Sequence, residues 1–576
     1  EFMETLSNII NVTNTFLWTY ILVAALIVLG IYFTIRTKFV QFRYFKEMFR
    51  LLGDGMDKDA KKEGKISSFQ AFCISTASRV GTGNIAGISI AIVGGGPGAI
   101  FWMWVVALIG SASSFVESTL AQIYKVRDGA AFRGGPAYYI EQGLKNKKMA
   151  ILFSVLITIS FAFVFNAVQS NTMTVAFHAA FGIDKFLMGI ILCALTTAVI
   201  FGGVQRIAKI TEVIVPIFAV AYILVALFIV FKNINLMPQV FEAIFSQALN
   251  FKDFTVGTFT GTILVGIKRG LFSNEAGMGS APNAAATADT SHPVKQGLIQ
   301  SLGVFTDTII ICTCTAFMVL LYTQFNTTSG ATSIELAQEA LSYHIGSLGY
   351  TFIAICIFLF AFSSIVGNYY YGQSNIEFIF GENKALMAVF RVLVVGMVLF
   401  GSLTKVQIVW DLADVMMALM AIVNLVAITL LGKFAFRALD DYTRQRKAGI
   451  SNPTFNPANI EGLGKVECWG NDDDEEATIK KAQEIMNSIP IIPCTTCNYC
   501  AKVCPMKIGI SGSFTAMNYL TLYNDMGAAK HQEDWLVSGH GFKKASECIK
   551  CGKCEQVCPQ HIKIRQELEK VAEKLK

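Results

Sequence analysis

The sequence predicts an all-α polytopic membrane protein followed by a small helical domain of different character. Three observations predict it: an apolar composition, long apolar runs separated by charged loops, and a tail rich in cysteine. Of 576 residues, 53% are hydrophobic and only 15% charged, with a positive mean hydropathy; such a chain is mostly membrane helix and not a soluble enzyme. Reading apolar runs of about 18 residues or more as spans predicts eleven of them: 14–35, 67–93, 99–124, 150–181, 184–204, 209–231, 256–280, 297–323, 346–380, 385–402 and 406–432.

Lys and Arg are retained on the cytoplasmic side, so the loops set the orientation. The loop from Arg36 to Lys65 holds nine of them, and those at 125–148, 206–209 and 433–447 are also basic, whereas 323–343 has none. The alternation places the N-terminus outside, the second span entering from the cytoplasm, and everything after Gly432 inside. No cleavage-site pattern follows the first span, which reads as a retained helix.

Two stretches carry one skeleton. Arg79, Asn84, Ala86 and Gly87 in RVGTGNIAG (79–87) recur at identical spacing as Arg269, Asn274, Ala276 and Gly277 in RGLFSNEAG (269–277). Glycine and asparagine inside a membrane-length segment interrupt the helical hydrogen-bond ladder, which lipid tolerates only where the freed groups line a buried cavity. Paired breaks in two halves of a chain point to a transporter's substrate site. Free N–H groups and positive helix ends there suit a carboxylate, and free carbonyls suit a cation. Gly81, Thr82, Gly83 and Asn84 supply the first break; Phe272, Ser273 and Asn274 supply the second, with Phe272 as a wall or lid. Arg79, Arg269, Glu117, Glu275 and Asp307 are ionisable residues within spans, and such groups pair with one another. The arginines are expected to close the cytoplasmic ends of the broken helices against Glu117, Glu275 or Asp307.

The tail opens on Asn471-Asp472-Asp473-Asp474-Glu475-Glu476 and contains no span, so residues 1–469 and 470–576 read as two domains. Eight of the fourteen cysteines fall in the tail, as Cys494-x2-Cys497-x2-Cys500-x3-Cys504-Pro505 and Cys548-x2-Cys551-x2-Cys554-x3-Cys558-Pro559. This is the spacing of two [4Fe–4S] clusters, in which the fourth cysteine of each run serves the other cluster. Cys494, Cys497, Cys500 and Cys558 are therefore assigned to one cluster, and Cys548, Cys551, Cys554 and Cys504 to the other. Zinc knuckles usually lack the third and fourth members, and a cytoplasmic location disfavours disulfides.

The membrane part resembles the alanine/glycine:cation symporter family of the amino acid-polyamine-cation superfamily. The likeness is carried by RVGTGNIAG, GGPGAIFWMW (95–104), GGPAYYIE (134–141), RGLFSNEAGMGSAP (269–282), HPVKQG (292–297) and ECW (467–469). It implies a LeuT-like five-plus-five inverted repeat and import of a small neutral amino acid, alanine or glycine, with sodium or protons. Within FNAVQSN (165–171) it points to Gln169 as a substrate contact; interhelical hydrogen bonding is the other use of Gln169 and Asn166. Ser363 and Ser364 stand where the related fold places a sodium-binding hydroxyl pair. Phe-Ala-Phe at 161–163 and again at 360–362 aligns Gln169 with Asn368. The family pattern Gly-Trp-x-Tyr-Tyr-Gly-Glu reads Gly367-Asn368-Tyr369-Tyr370-Tyr371-Gly372-Gln373 here, so a larger or more polar substrate is accommodated if Asn368 lines the site.

The tail resembles the ferredoxin-like C-terminal domain of certain aldo/keto reductases, without their catalytic barrel. Three readings of the fusion follow: a symporter with a redox-sensing or electron-transfer domain, a redox-driven ion pump, and a membrane-anchored electron carrier. The paired breaks favour the first, and the lack of a quinone, haem or flavin motif counts against the pump. Expected partners are the amino acid, the lipid bilayer and a cytoplasmic redox protein. For the last, Lys543, Lys544, Lys550 and Lys553 offer a basic face, although a solvated charged face is the plainer reading. Nothing points to nucleic acid.

Overall fold

The structure is a computed structural model that describes all residues except 1, 55–64, 130, 202, 251–257, 327–328 and 470–471. It divides into two compact units, Glu1–Gly470 and Asn471–Lys576.

Among the described residues of the first unit, seven helices are long and apolar enough to cross a membrane: Ile9–Arg36, Gly98–Ile123, Lys147–Phe181, Pro293–Thr323, Leu348–Phe380, Lys384–Leu403 and Gln407–Lys447. Pro216–Lys232 and Ile234–Ala248 make an eighth if counted together, bent by 74°. The chain leaves the first of that pair at Asn233 (φ −115°, ψ 28°), and a proline in the first turn of Met237–Ala248 starts the next helix. The apolar run at 67–93 is divided into Ser68–Arg79 and Gly83–Gly95, and that at 256–280 contains the helix Thr258–Asn274 followed by a loop. Neither reaches an unbroken spanning length, because the ladder stops within it.

The Gly98–Ile123 helix packs against Pro293–Val304 and Thr258–Asn274, and Asn166–Phe181 packs against Leu348–Phe380 and Lys384–Leu403. In a membrane such contacts depend on small residues that let backbones approach. A Cβ on Gly297 would meet Thr119 Oγ1 and lie 2.9 Å from the Phe115 carbonyl, and one on Gly266 would meet the Ala99 carbonyl. Glycine is required at both positions by close approach. Beyond Lys447 the chain runs back along the unit. Phe455 N donates to Ser291 O (2.8 Å), Trp469 Nε1 donates to Gln122 O (2.9 Å), and Lys125 stands over the Phe132 and Trp469 rings.

The second unit is built on the helices Asp472–Ser488, Ile510–Tyr523, Met526–His540 and Ile564–Lys574. Ile508, Ile510, Phe514, Ile564, Leu568 and Val571 are buried in its core.

Candidate functional site

The first break begins where Ser68–Arg79 ends. Ser67 caps that helix through a reciprocal bond with Gln70, and Val80 turns extended (φ −78°, ψ 93°). Helix resumes through a wide π turn at Gly83–Gly87, a form frequent at functional sites. The gap is held by side chains. Asn84 Oδ1 accepts Gly81 N (2.9 Å), and Gln169 Oε1 accepts Thr82 N (3.0 Å) and Thr82 Oγ1 (2.6 Å). Ser364 Oγ donates to Ala77 O (2.8 Å) and reaches Val80 O (3.3 Å), so a hydroxyl and two carbonyls converge. Ser363 instead donates to Phe360 O within its own helix (2.8 Å).

The second break follows Asn274 and does not include the residues expected to supply it: Phe272, Ser273 and Asn274 form the end of the helix Thr258–Asn274. Glu275, Gly277 and Gly279 take φ of 56°, 81° and 89°, left-handed values that a helix cannot contain. Glu117 holds this loop: its carboxylate accepts Gly277 N and Gly279 N, both at 3.1 Å. Asn424 Nδ2 donates to Glu117 Oε2 (2.8 Å) and Gly277 O (2.9 Å). Asn274 Oδ1 accepts Ala276 N (3.0 Å), while its Nδ2 is buried without a partner.

The two breaks touch. A Cβ on Gly83 would lie 3.0 Å from Phe272 Cδ1 and 3.3 Å from Ser273 Cα, and one on Gly81 would meet Ser364 Oγ and lie 2.9 Å from Gln169 Oε1. Phe272 is packed between Phe165 and Trp410, at ring-centre distances of 4.8 and 4.6 Å. Asn368 accepts from Ser78 Oγ (2.7 Å) and donates to Asn166 Oδ1 (3.1 Å). Ser78 Oγ also lies 2.8 Å from Glu275 Oε1. The structure thus gathers Gly81, Thr82, Gly83, Asn84, Gln169, Phe272, Ser273 and Ser364 at one locus, with Asn368 joined to Glu275 through Ser78.

The arginines depart from expectation. Arg269 Nη2 grips both oxygens of Asp414, and Lys268 Nζ lies 3.3 Å from the same carboxylate. Arg269 and Asp414, with Gln407, Trp410 and Asp411, line a cavity of about 250 Å³. Arg79 donates to Gln300 Oε1 and Ser114 Oγ, both at 3.3 Å. Neither guanidinium pairs with Glu117, Glu275 or Asp307 among the ion pairs of the described residues. Backbone N–H groups and hydroxyls reach those carboxylates first. Asp414 and Asn424 were missed because polar residues in the 406–432 run gave no periodic sign of which faced inward; an acid inside an apolar run was the available signal for Asp414.

In the second unit the two cysteine runs are wound alike. Thr496, Asn498 and Lys507 have φ of 53°, 60° and 54°, and at the equivalent positions Lys550, Gly552 and His561 have 56°, 80° and 51°. Such turns direct backbone N–H groups inward around an anionic centre. Cys504, Cys548, Cys551 and Cys554 line one cavity with Met506 and Ile508 among its walls. Burial first, and then the neighbouring thiols of Cys497 and Cys558, raise the Cys494 thiol above its ordinary value; burial raises Cys554 to about 11. Among the described residues no three His, Cys, Asp or Glu converge on a single ion, whereas a four-iron cubane spreads its thiolates more widely. Eight soft donors on two matched loops fit [4Fe–4S] clusters.

Broken helices that meet inside a membrane bundle define a transporter. Residues 3–457 match the sodium:alanine symporter family, and residues 493–562 match a 4Fe-4S dicluster domain. A probable sodium/glutamine symporter, GlnT, of Bacillus subtilis is 54% identical over 83% of this chain and 99% of its own length. The amino-acid carrier protein AlsT of the same organism is also 54% identical, over 82% and 100%. The sodium/alanine symporter AgcS of Methanococcus maripaludis is 37% identical over 77% and 99%. A solved manganese transporter of Eremococcus coleocola aligns with a TM-score of 0.41 at 14% identity, over 73% of this chain and 85% of its own, too low a likeness to bear on fold or cargo. The chain belongs to the sodium:alanine symporter family and is a multi-pass membrane transporter with a 4Fe-4S dicluster domain at its C-terminal end.

Proposed function

We propose that residues 1–469 form eleven spans in a five-plus-five inverted repeat and import a small neutral amino acid with sodium by alternating access. Residues 470–576 form a cytoplasmic electron-carrying domain, and the N-terminus lies outside. The observation that carries this reading is the contact between the two breaks, where Gly83 backs onto Phe272 and Ser273. The N–H of Thr82, bonded to the Gln169 amide oxygen, is a donor suited to a substrate carboxylate. Ser364 with the carbonyls of Ala77 and Val80 offers sodium three uncharged oxygens.

Alanine or glycine is the substrate implied by the family. The amides of Asn368 and Asn166, bonded to each other beside the site, favour a second reading in which glutamine is carried, as the printed name of the GlnT relative says of that protein. Uptake of labelled alanine, glycine and glutamine into proteoliposomes, with and without an inward sodium gradient, tests both. Sodium-driven glutamine uptake that Asn368→Trp lowers by about 10–200-fold relative to alanine, the range for one change in pocket fit, supports the amide reading. Uptake indifferent to sodium sinks symport.

Cys494, Cys497, Cys500 and Cys558 would hold one cluster and Cys548, Cys551, Cys554 and Cys504 the other. Bound [4Fe–4S] clusters supply one-electron transfer. The cavity shared by Cys504 and the second run supports the crossed assignment. It predicts that Cys504→Ala perturbs the cluster of the second run, read by electron paramagnetic resonance of the anaerobic protein; loss of the first run's signal alone would refute it. Because burial raises the thiols and ligation needs thiolates, cluster assembly is expected to slow as pH falls.

A further inference from the structure

The cavity of about 250 Å³ beside Arg269 is separate from the locus where the breaks meet. Its floor is buried: Arg269, Trp410 and Asp414 are each no more than 5% exposed. Its rim is open, with Val93, Gly94, Thr332 and Gln407 exposed. At the floor the Trp410 ring lies 4.6 Å from that of Phe272, and Phe272 backs onto Gly83 of the first break. The cavity therefore stands between the surface and the breaks, with two aromatic rings as the partition.

Polar groups on the floor are short of partners. Arg269 gives Nη2 to Asp414, while its Nη1 is buried without a partner, as is Trp410 Nε1. The guanidinium stands over the Trp410 ring, 4.8 Å from its centre, so the two orphan donors are neighbours. An unpaired buried N–H costs about 1–3 kcal/mol, and two at one cavity call for an acceptor. Two cations, Arg269 and Lys268, share the one carboxylate of Asp414, which leaves positive charge at this end. Ser333 also lines the cavity and starts the helix Ile334–Ile345 without a side-chain cap, and helix N-termini favour anions. Toward the rim the sign reverses. Half-buried Asp411 accepts only Gln407 Nε2 among the described residues (2.9 and 3.0 Å). The helix Gly83–Gly95 ends in the same cavity at Val93 and Gly94, bringing the negative end of its dipole.

A pole for a carboxylate and a pole for an ammonium, a short distance apart, describe the zwitterion of an α-amino acid. We propose that this cavity is a second binding site for the transported amino acid, with its carboxylate on Arg269 and Trp410 and its ammonium on Asp411. In the orientation proposed above the rim faces outside, because it holds the far end of the span that enters from the cytoplasm. The amino acid rests here until the Trp410 and Phe272 rings part and admit it to the breaks. The proposal rests on the reading of the breaks as the transport site and adds a station on the path to it.

The test is equilibrium binding of labelled alanine, and of labelled glutamine, to the purified full-length protein. Wild type is expected to bind two molecules per chain in two components. Trp410→Phe keeps a ring against Phe272 and removes the donor, so it should weaken one component about 10-fold or more, the worth of a hydrogen bond to a charged group. Asp411→Asn should weaken the same component about 2–5-fold, the range of a part-exposed ion pair; its place near the rim lets it report even if Trp410→Phe fails to fold. Gln169→Ala, at the breaks, should weaken only the other component. N-acetylalanine keeps the carboxylate but lacks the ammonium, and it should displace the molecule at Asp411 more weakly than alanine does. One molecule bound per wild-type chain, or two components that both Trp410→Phe and Asp411→Asn leave unchanged, overturns the proposal, and equal displacement by N-acetylalanine overturns the assignment of the ammonium to Asp411. Failure of symport is separable: it appears as wild-type uptake into proteoliposomes that ignores the sodium gradient, whereas failure of this site alone leaves uptake driven by sodium with a single amino acid bound.

Discussion

The two breaks have the same residues at the same spacing, yet they are stabilised in opposite ways. At the first, Asn84 spends both ends of its amide, accepting Gly81 N and donating to Asp307; at the second, Asn274 accepts Ala276 N and leaves its nitrogen unpartnered. The first returns to helix at once through the turn Gly83–Gly87, whereas the second passes three left-handed residues and needs Glu117 to hold it. Arg79 donates to neutral groups, while Arg269 has a carboxylate of its own in Asp414. The shared skeleton specifies where a helix can open, and the neighbours specify what the opening does.

The comparison can be broken most forcefully at the arginines. Arg269→Ala takes from Asp414, whose side chain is 4% exposed, the closer of its two cations and leaves Lys268 at 3.3 Å; removing one partner of a buried pair costs up to about 3–5 kcal/mol. A large fall in the melting temperature of the detergent-purified protein is expected, recovered mostly by adding Asp414→Asn. Arg79→Ala should show no such recovery with any single carboxylate, because it has no single partner; recovery by Glu275→Gln alone would contradict that distinction.

The glycines sharpen it next. Gly81→Ala drives a methyl into Ser364 and Gln169, and overpacking of about 1–3 kcal/mol should cut uptake by about 10–100-fold. Gly83→Ala meets the edge of the Phe272 ring, which can turn, so its effect on uptake should be the smaller of the two. Equal losses would mean that the two glycines serve the same contact.

The asparagines give the smallest effects. Asn84→Ala takes a donor from buried Asp307 and is expected to cost about 1–3 kcal/mol, against about 0.5–1.5 kcal/mol for the single bond lost in Asn274→Ala. Thermal unfolding of the two variants side by side measures the difference. A larger loss for Asn274→Ala would reverse the ranking of the breaks.

Much of the site was legible before folding. The break at Gly81–Asn84 follows from glycine and asparagine within an apolar run, since backbone polarity has no outlet in lipid; the second, expected at Phe272–Asn274, opens only at Glu275, because those three residues still belong to the helix Thr258–Asn274. Ser364 and Gln169 were reached through resemblance, and they contact the first break. Ser363 and the arginine partners were not legible: adjacent hydroxyls on a helix point about 100° apart, and which one meets a neighbour depends on how the helix is rotated. Asp414 lies 145 residues from Arg269, and no local pattern links them.

By itself the sequence determined that this chain belongs in a membrane, where its helices are interrupted, and that its tail carries two matched cysteine runs. Those are consequences of composition and spacing, which act locally through hydrophobic burial, backbone hydrogen bonding and chain geometry. Only the tertiary structure decided which oxygen faces which N–H: that Asp307 joins the breaks through Asn84 and Ser273, that Glu117 holds the second, and that Arg269 belongs to Asp414. Those pairings join elements far apart in the chain, and they are set by helix packing at small residues such as Gly266 and Gly297.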